Sequence, residues 1–314
     1  MPANRTNYTD PVLTNLTVAT MQSLDTFVAE KVFPPVPVLK QGGKYYVYPS
    51  AAWNRPEVKP RGVSSETVGG GYVLSSDSYF CPIMGFHDDV DHNFAANDDP
   101  GIDSFRDAMD YVAYQIMLAK EQAFITNFLT TSVWTGDVTP GTKWSATNSD
   151  PIVYLRSKMR AIKDRTGRMP NTLTVTGDVW SVLVDHSAIT GRLSTNVTQI
   201  GTKALVAGLL ELDNLHVADT YVNTAAEGKD QVLAPLASKC CLLTYTPPRP
   251  GLKVPSAGYT FKWKGLPGSA NDSGVVTSRF EMPHLKSTRM EAEYAHDYKT
   301  VSADLGLFMY DVIA

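Results

Sequence analysis

Between two β-forming runs, Lys44–Tyr48 (KYYVY) and Tyr72–Phe80, lies a segment rich in glycine and proline, Ala51–Gly71, with Pro56, Pro60, Gly62 and three glycines at 69–71. This arrangement predicts an extended hairpin arm. The segment has too little apolar content to build a core of its own. A loop of this length in a compact domain is normally functional or is ordered by a partner. Residues 1–20 pose the same problem: they are polar, rich in Thr and Asn, and have little to bury. Such a segment lies on something else. The chain therefore reads as one that needs surface outside itself.

The rest has ordinary folding signals. A short helix is expected over Ser23–Val32, with Ser23 as its cap, and Phe33-Pro34-Pro35-Val36-Pro37 ends it. Asp103 is placed to cap a long helix reaching about Leu129. Phe105, Met109, Val112, Ile116, Ala119 and Ala123 form one continuous stripe on it. Tyr111, Tyr114, Leu118, Phe124, Ile125 and Phe128 make its other faces apolar as well. Roughly 27 residues at 1.5 Å rise make a rod of about 40 Å, and such a rod needs cover on several sides. After a Gly/Pro/Thr/Asn-rich loop over Thr135–Ser149, Asp150-Pro151 opens a second helix, with Ile152, Leu155, Met159 and Ile162 inward and Gly167 at its end. Thr172–Thr176 reads as a strand, Asp178–Asp185 and Lys203–Leu212 as helices, and Leu215–Ala218 as a strand. The remainder is β-rich: Lys239–Tyr245, Tyr259–Trp263, Thr288–Tyr294 and Leu305–Val312. The class is α+β.

Composition narrows the function. Hydrophobic residues make up 43% and charged residues 19%, which argues against disorder. No stretch approaches the roughly 20 apolar residues of a membrane span, and the N-terminus lacks the apolar core of a signal peptide. The protein is thus expected in the cytoplasm where it is made. The three cysteines, Cys81, Cys240 and Cys241, are a poor disulfide framework and read as buried thiols. The net charge of -4 lacks the basic excess usual in nucleic-acid binders. The tightest basic group, Arg156, Lys158, Arg160, Lys163, Arg165 and Arg168, spreads around the solvated face of a helix.

No catalytic motif is complete in the sequence. HDDVDH at 87–92 packs two His and three Asp together, but on a strand His87, Asp89 and Asp91 share one face and Asp88 and His92 the other. That divides any metal set. GDVTPGTK at 136–143 places Thr142 before Lys143, the reverse of a phosphate loop, and no helix follows. GGGY at 69–72 lacks dinucleotide spacing. There is no GxSxG, HExxH or CxxC. The arm's Tyr45, Tyr46, Tyr48 and Trp53 lack the interleaved cations of a single-strand binding platform, so packing or subunit contact is the better reading.

The order of pieces resembles the major capsid proteins of tailed bacteriophages, whose Hong Kong phage fold is shared with encapsulin shells. VAEKVFPPVPV (28–38), KYYVYP (44–49), GGGYVLSSDSY (69–79), HDDVDHNFAAND (87–98) and MPNTLTVTGDVWSVLVDH (169–186) carry the match. The resemblance implies a phage major capsid protein fold with N-arm, extended loop, peripheral domain with long spine helix, and axial domain. Carried onto this chain, residues 1–22 are the N-terminal arm and 42–86 the extended loop that overlaps a neighbour. Residues 23–41, 87–170 and 276–297 are the peripheral domain, with its spine helix about 103–129. Residues 171–275 and 298–314 are the axial domain. The function implied is self-assembly as pentamers and hexamers into an icosahedral shell enclosing double-stranded DNA. It is structural, without enzyme activity, cofactor, metal or membrane, and located in the virion after synthesis in the bacterial cytoplasm.

Candidate inter-subunit contacts are Tyr45, Tyr46, Tyr48, Trp53, Arg55, Lys59 and Arg61. Partners are other copies of the chain; scaffolding, decoration and portal proteins are further candidates, and packaged DNA is near without specific contact. Some relatives carry a removable scaffolding segment ahead of the arm; this chain starts almost at the arm. Two alternatives stand beside this reading: an encapsulin-type compartment with enzyme cargo, and a soluble metal-dependent enzyme using His87, Asp89 and Asp91.

Overall fold

The computed structural model describes residues 8–9, 26–47, 54–98, 103–191, 203–251, 254–268 and 274–314. The N-terminal strand β1 (Tyr8–Thr9) is followed by one helical turn, α1 (Ala29–Val32). The helix expected from Ser23 is thus shorter among the described residues, and Ser23 lies outside them. Its cap is not a local side chain: the amides of Val28 and Ala29 donate to Oε2 of Glu121, 93 and 92 residues away, at 2.9 and 2.8 Å.

The Pro-rich stretch that ends α1 goes on as strand β2 (Pro35–Val38), which the sequence reading did not foresee. It is tolerated because β2 lies at a sheet edge, where a missing N–H breaks no ladder. Strands β3 (Gly42–Val47) and β4 (Ser75–Phe80) pair antiparallel from Gly42↔Phe80 to Val47↔Ser75, so the expected arm is a two-stranded ribbon. Strand β5 (Ile83–Asp91) and the short helix α2 (His92–Ala96) follow.

The long helix α3 (Ser104–Phe128) is close to the span expected. The Asp103 carboxylate accepts from the amides of Phe105 and Arg106 at its N-terminus. Its buried face departs from the expected stripe in its second half. Ala119 and Ala123 are only partly covered, whereas Lys120 and Glu121 are buried. Lys120 Nζ lies 2.7 Å from Glu30 Oε1, and Lys262 Nζ 3.2 Å from Glu30 Oε2. The Glu30 side chain keeps 42% of its surface, and against its partial burial, which would raise its pKa, the two lysines hold it well below the usual carboxylate range. A charged cluster of this kind is invisible to apolar periodicity.

Helix α4 (Pro151–Thr166) has the predicted ends. Asp150 caps it through the Val153 amide at 3.1 Å, and Gly167 stops it in the left-handed conformation (φ 74°). After it come β6 (Thr172–Thr176), α5 (Gly177–Asp185), α6 (Ser187–Thr190), α7 (Lys203–Leu210), β7 (Asn214–Ala218), β8 (Tyr221–Asn223), β9 (Leu233–Pro235), β10 (Cys241–Thr244), β11 (Gly258–Trp263), β12 (Val275–Met282), β13 (Ser287–Thr300) and β14 (Gly306–Met309).

Among the described residues the strands form two main sheets. One runs β1-β12-β13-β11-β2, with β5 also paired to β13. The other runs β14-β10-β6-β7. Helix α3 covers the first sheet, with Met109, Val112 and Ile116 against Val90, Met290, Ala292 and Tyr294. Helices α4, α5 and α7 bury Ile152, Leu155, Met159, Ile162, Leu183 and Val206 against Leu173, Val175 and Leu243 of the second. An aromatic cluster joins the two parts: Phe33, Phe124, Phe128, Trp134, Tyr298 and Phe308 are buried together. The Phe33 and Phe128 rings meet edge-on at 4.6 Å, and Trp134 Nε1 donates to the Phe128 carbonyl at 2.7 Å.

Packing and pairing cross the expected domain limits at two places. Helix α4, assigned to 87–170 of the peripheral domain, seats its apolar stripe on the second sheet. Strand β11, assigned to 171–275 of the axial domain, pairs with β13 and β2 in the first. Those limits came from the resemblance, whereas the buried faces follow the nearest sheet. Strand β12 was missed and β13 is longer than expected. β13 is a shared central strand, bonded to β12 and β5 over Ser287–Tyr294 and to β11 from His296 onward.

Candidate assembly surface

The arm is clamped at its base and open beyond it. Tyr79 stacks on Phe261 with ring centroids 4.6 Å apart, and Tyr45 lies 5.3 Å from the same ring. The Tyr45 hydroxyl donates to Asp77 Oδ2 at 3.1 Å. Burial, and then the negative charge of Asp77, push the Tyr45 phenol well above its usual pKa. The Phe80 amide donates to Asp297 Oδ2 at 2.9 Å, and buried Cys81 follows. A ribbon fixed this way projects as a rigid base.

Past the base, every residue from 54 to 74 is exposed. The limbs run close together: a Cβ at Gly70 would sit 2.5 Å from Glu57 Oε2, the end of an exposed side chain. The far end is a tight turn. Both the amide and the hydroxyl of Ser65 donate to the Gly62 carbonyl, at 3.3 and 2.9 Å, and Ser64 adopts a positive φ of 65°. This turn presents Val63 fully exposed (100%), with Val58 at 98% and Val73 at 87% elsewhere on the arm.

The candidate contact residues divide accordingly. Tyr45 is half-buried against its own chain. Tyr46, Arg55, Lys59 and Arg61 are open to solvent. Tyr48 and Trp53 lie outside the described residues. Arg55 and Glu57 are 3.9 Å apart and mostly exposed, a pair that contributes at most ~1 kcal/mol.

A second apolar strip joins Tyr111 and Tyr114, which the sequence placed on an apolar face of the long helix, to Met84 and Phe86, which it did not single out. On the flank of α3, Phe86 meets Tyr111 at 5.7 Å and Phe27 meets Tyr114 at 5.8 Å, with Met84 beside them. Tyr111, Tyr114, Met84 and Phe86 keep between 37% and 49% of their surface. The alternation Met84-Phe86-Asp88-Val90 was the available signal.

The HDDVDH side chains serve the fold. Asp89 receives a fork from Arg289 at 2.7 and 2.9 Å across the β5–β13 ladder, and that hydrogen bonding lowers its pKa. Asp91 caps α2 through the Asn93 amide at 2.7 Å, and His92 Nε2 is 2.9 Å from Thr288 Oγ1. Among the described residues no group of three or more His, Cys, Asp or Glu is placed to hold a metal ion. Nor, among them, is any helix long and apolar enough to cross a membrane.

The basic group on α4 is likewise engaged within the chain. Arg165 donates to the carbonyls of Thr135 and Gly306 at 2.6 and 3.1 Å, Arg160 pairs with Asp164 at 2.9 Å, and Arg168 lies 5.4 Å over Tyr245.

No family model matches the chain. It is 23% identical over 296 residues, covering 89% of each sequence, to the major capsid protein of Burkholderia phage BcepMu. It is similar to the crystal structure of a phage-related protein from Bordetella bronchiseptica RB50, with TM-score 0.73, 21% identity and 98% of both chains covered. It is also similar to the capsid structure of cyanophage P-SCSP1u, with TM-score 0.57 and 11% identity over 92% of this chain and 89% of that one.

Proposed function

We propose, on the premise that this chain carries the fold of a phage major capsid protein, that it is the structural subunit of an icosahedral shell. In this reading it assembles as pentamers and hexamers around the double-stranded DNA of a tailed phage and resides in the virion. The part is structural, without catalysis.

One observation carries the reading: a clamped ribbon holds residues 54–74 away from the body with their valines uncovered. A lone soluble subunit gains nothing from such an arm. In a shell every copy covers its neighbour's, and many weak repeated contacts close by symmetry. Tyr46, Arg55, Lys59 and Arg61 are the arm's proposed contacts, together with Tyr48 and Trp53. Ordering on assembly offsets the conformational entropy that the arm cannot recover alone.

The test is negative-stain microscopy of the purified protein together with its sedimentation rate. Closed uniform particles, or rings of five and six, are expected. DNA content points to a phage shell, and co-purified enzyme cargo points to an encapsulin-type compartment. A chain that stays a monomer or dimer at high concentration, with or without a scaffolding partner, counts against shell building.

A further inference from the structure

Helix α1 is a single turn, yet it ties the two sheets of the chain together. Glu30 reaches the first: its carboxylate lies 2.7 Å from Lys120 Nζ on α3, 3.2 Å from Lys262 Nζ on β11 and 3.9 Å from His296 Nδ1 on β13. The approach to α1 is held by the second, where Thr220 Oγ1, just past β7, donates to the Thr26 carbonyl at 3.2 Å. Val28, Ala29, Val32 and Phe33 are buried in one cluster with Phe124 of α3, Tyr298 of β13 and Leu242 of β10. A helix this short has no stability of its own, so its seat depends on what holds its first amides.

That holder is Glu121 of α3. The N-cap residue of α1, Val28, supplies no side-chain cap, and Glu121 Oε2 takes the amides of Val28 and Ala29 at 2.9 and 2.8 Å. The other oxygen, Oε1, is buried with no hydrogen-bond partner among the described residues, and so is the Tyr298 hydroxyl. As a neutral acid Glu121 suits this place. As an anion it holds charge on an oxygen that meets neither donor nor water. Burial accordingly pushes its carboxyl up to about 7. Lifting α1 away from α3 is the local motion that would bring water to that charge.

We propose that α1 is a proton-operated latch at the joint between the two sheets, seated while Glu121 keeps its proton and opening more readily once the proton is lost. The device belongs to the single subunit and stands or falls independently of the shell reading.

The other groups around the seat act differently. Glu30 is held ionised by Lys120 and Lys262, so acid, not base, would weaken its ties. Burial lowers the pKa of Lys120, and that of His216 on β7 to about 4, with Lys31 and Lys203 adding to the latter. Both would favour opening as pH falls, the opposite sign. Burial raises Tyr294 and Tyr298 above the usual phenol range, outside neutral pH. All of these groups, with His296, Lys31 and Lys262, are kept in Glu121→Gln, so a comparison of the two chains isolates one carboxyl.

The test is hydrogen exchange of the dispersed full-length chain, read by mass spectrometry on peptides spanning Val28–Phe33, in wild type and Glu121→Gln from pH 5 to 8. Taking the ratio at each pH cancels the intrinsic exchange rate. With the carboxyl at about 7 when seated and 4.5 when open, the wild-type rate should rise roughly fiftyfold over the variant's across that range. Peptides from β6 and β10 should show no such rise. A flat ratio overturns the latch. So does a rise shared equally by β6 and β10, because that is global unfolding and not the lifting of one turn. A second measurement needs no variant: infrared spectra of the wild-type chain should show a protonated carboxyl at pH 6 that is gone by pH 8. Its absence at pH 6 overturns the latch even where Glu121→Gln folds poorly.

Discussion

Replacing Glu121 by Gln should remove a large part of the pH dependence of this subunit's stability. Glu121 is fully buried on α3, and one of its oxygens accepts the Val28 and Ala29 amides. The other, Oε1, has no hydrogen-bond partner among the described residues. Burial pushes the carboxyl up to about 7 from its ordinary 4.5, and the two amides and Lys31 only partly offset that.

The sign follows from which state binds the proton more tightly. The folded chain does, so the stabilising contribution is complete below about 4.5 and is lost as pH rises through about 7. At ~1.36 kcal/mol per pH unit, the loss across that window is about 3 kcal/mol. The assay is urea unfolding of dispersed subunits, followed by tryptophan fluorescence, at half-unit steps from pH 4.5 to 8. Subtracting the Gln curve from the wild-type curve cancels the other titrating groups to first order.

The wild-type protein should lose about 3 kcal/mol more than Glu121→Gln across the window, because the amide keeps an acceptor for Val28 and Ala29 and carries no charge. Equal slopes in the two proteins would refute the reasoning. Glu121→Ala provides the control: with both amides orphaned in a dry site it should be less stable than Glu121→Gln by ~1–3 kcal/mol at every pH.

Other outcomes follow from the same structure. Deleting Ala52–Gly70 should leave a subunit with native circular dichroism and melting behaviour but no stable shells; normal particles in the microscope would show that the arm is not an assembly element. Phe128→Ala empties the centre of the aromatic junction, where Phe128 is 0% exposed, and should cost ~3–5 kcal/mol in urea unfolding. Gly167→Ala has room for its Cβ, with Asn54 Nδ2 nearest at 3.9 Å, yet it holds φ at 74°. It should therefore cost about 1 kcal/mol through backbone strain alone. Cys81 and Cys240 have thiol pKa values pushed up to about 12 by burial, and that of Cys241 is raised as well. A thiol reagent at neutral pH should label none of the three until the chain unfolds.

The elements with local causes were readable without coordinates. Asp103, Asp150 and Gly167 mark helix ends through bonds made within a turn, and α3 and α4 begin and stop where those residues stand. The strand β6 and the paired runs of the arm follow from β-forming side chains between turn residues. The arm's lack of a core was legible too, because a segment that buries nothing advertises this in its composition.

What sequence could not supply depends on partners far along the chain. Glu121 caps α1 across more than ninety residues, so apolar periodicity placed Ala119 and Ala123 in the core where Lys120 and Glu121 lie. Pro35 and Pro37 looked like a mere stop signal until β11 arrived to pair with the other edge of their strand. Strand β12 and the full length of β13 depend on neighbours on both sides, and the apolar strip of Met84 and Phe86 depends on α3 passing beside it. Local rules govern bonds closed within a few residues. Burial, register and the pairing of buried charge are settled only when distant segments meet, and the seat of α1 exists only because α3, β10 and β13 converge there.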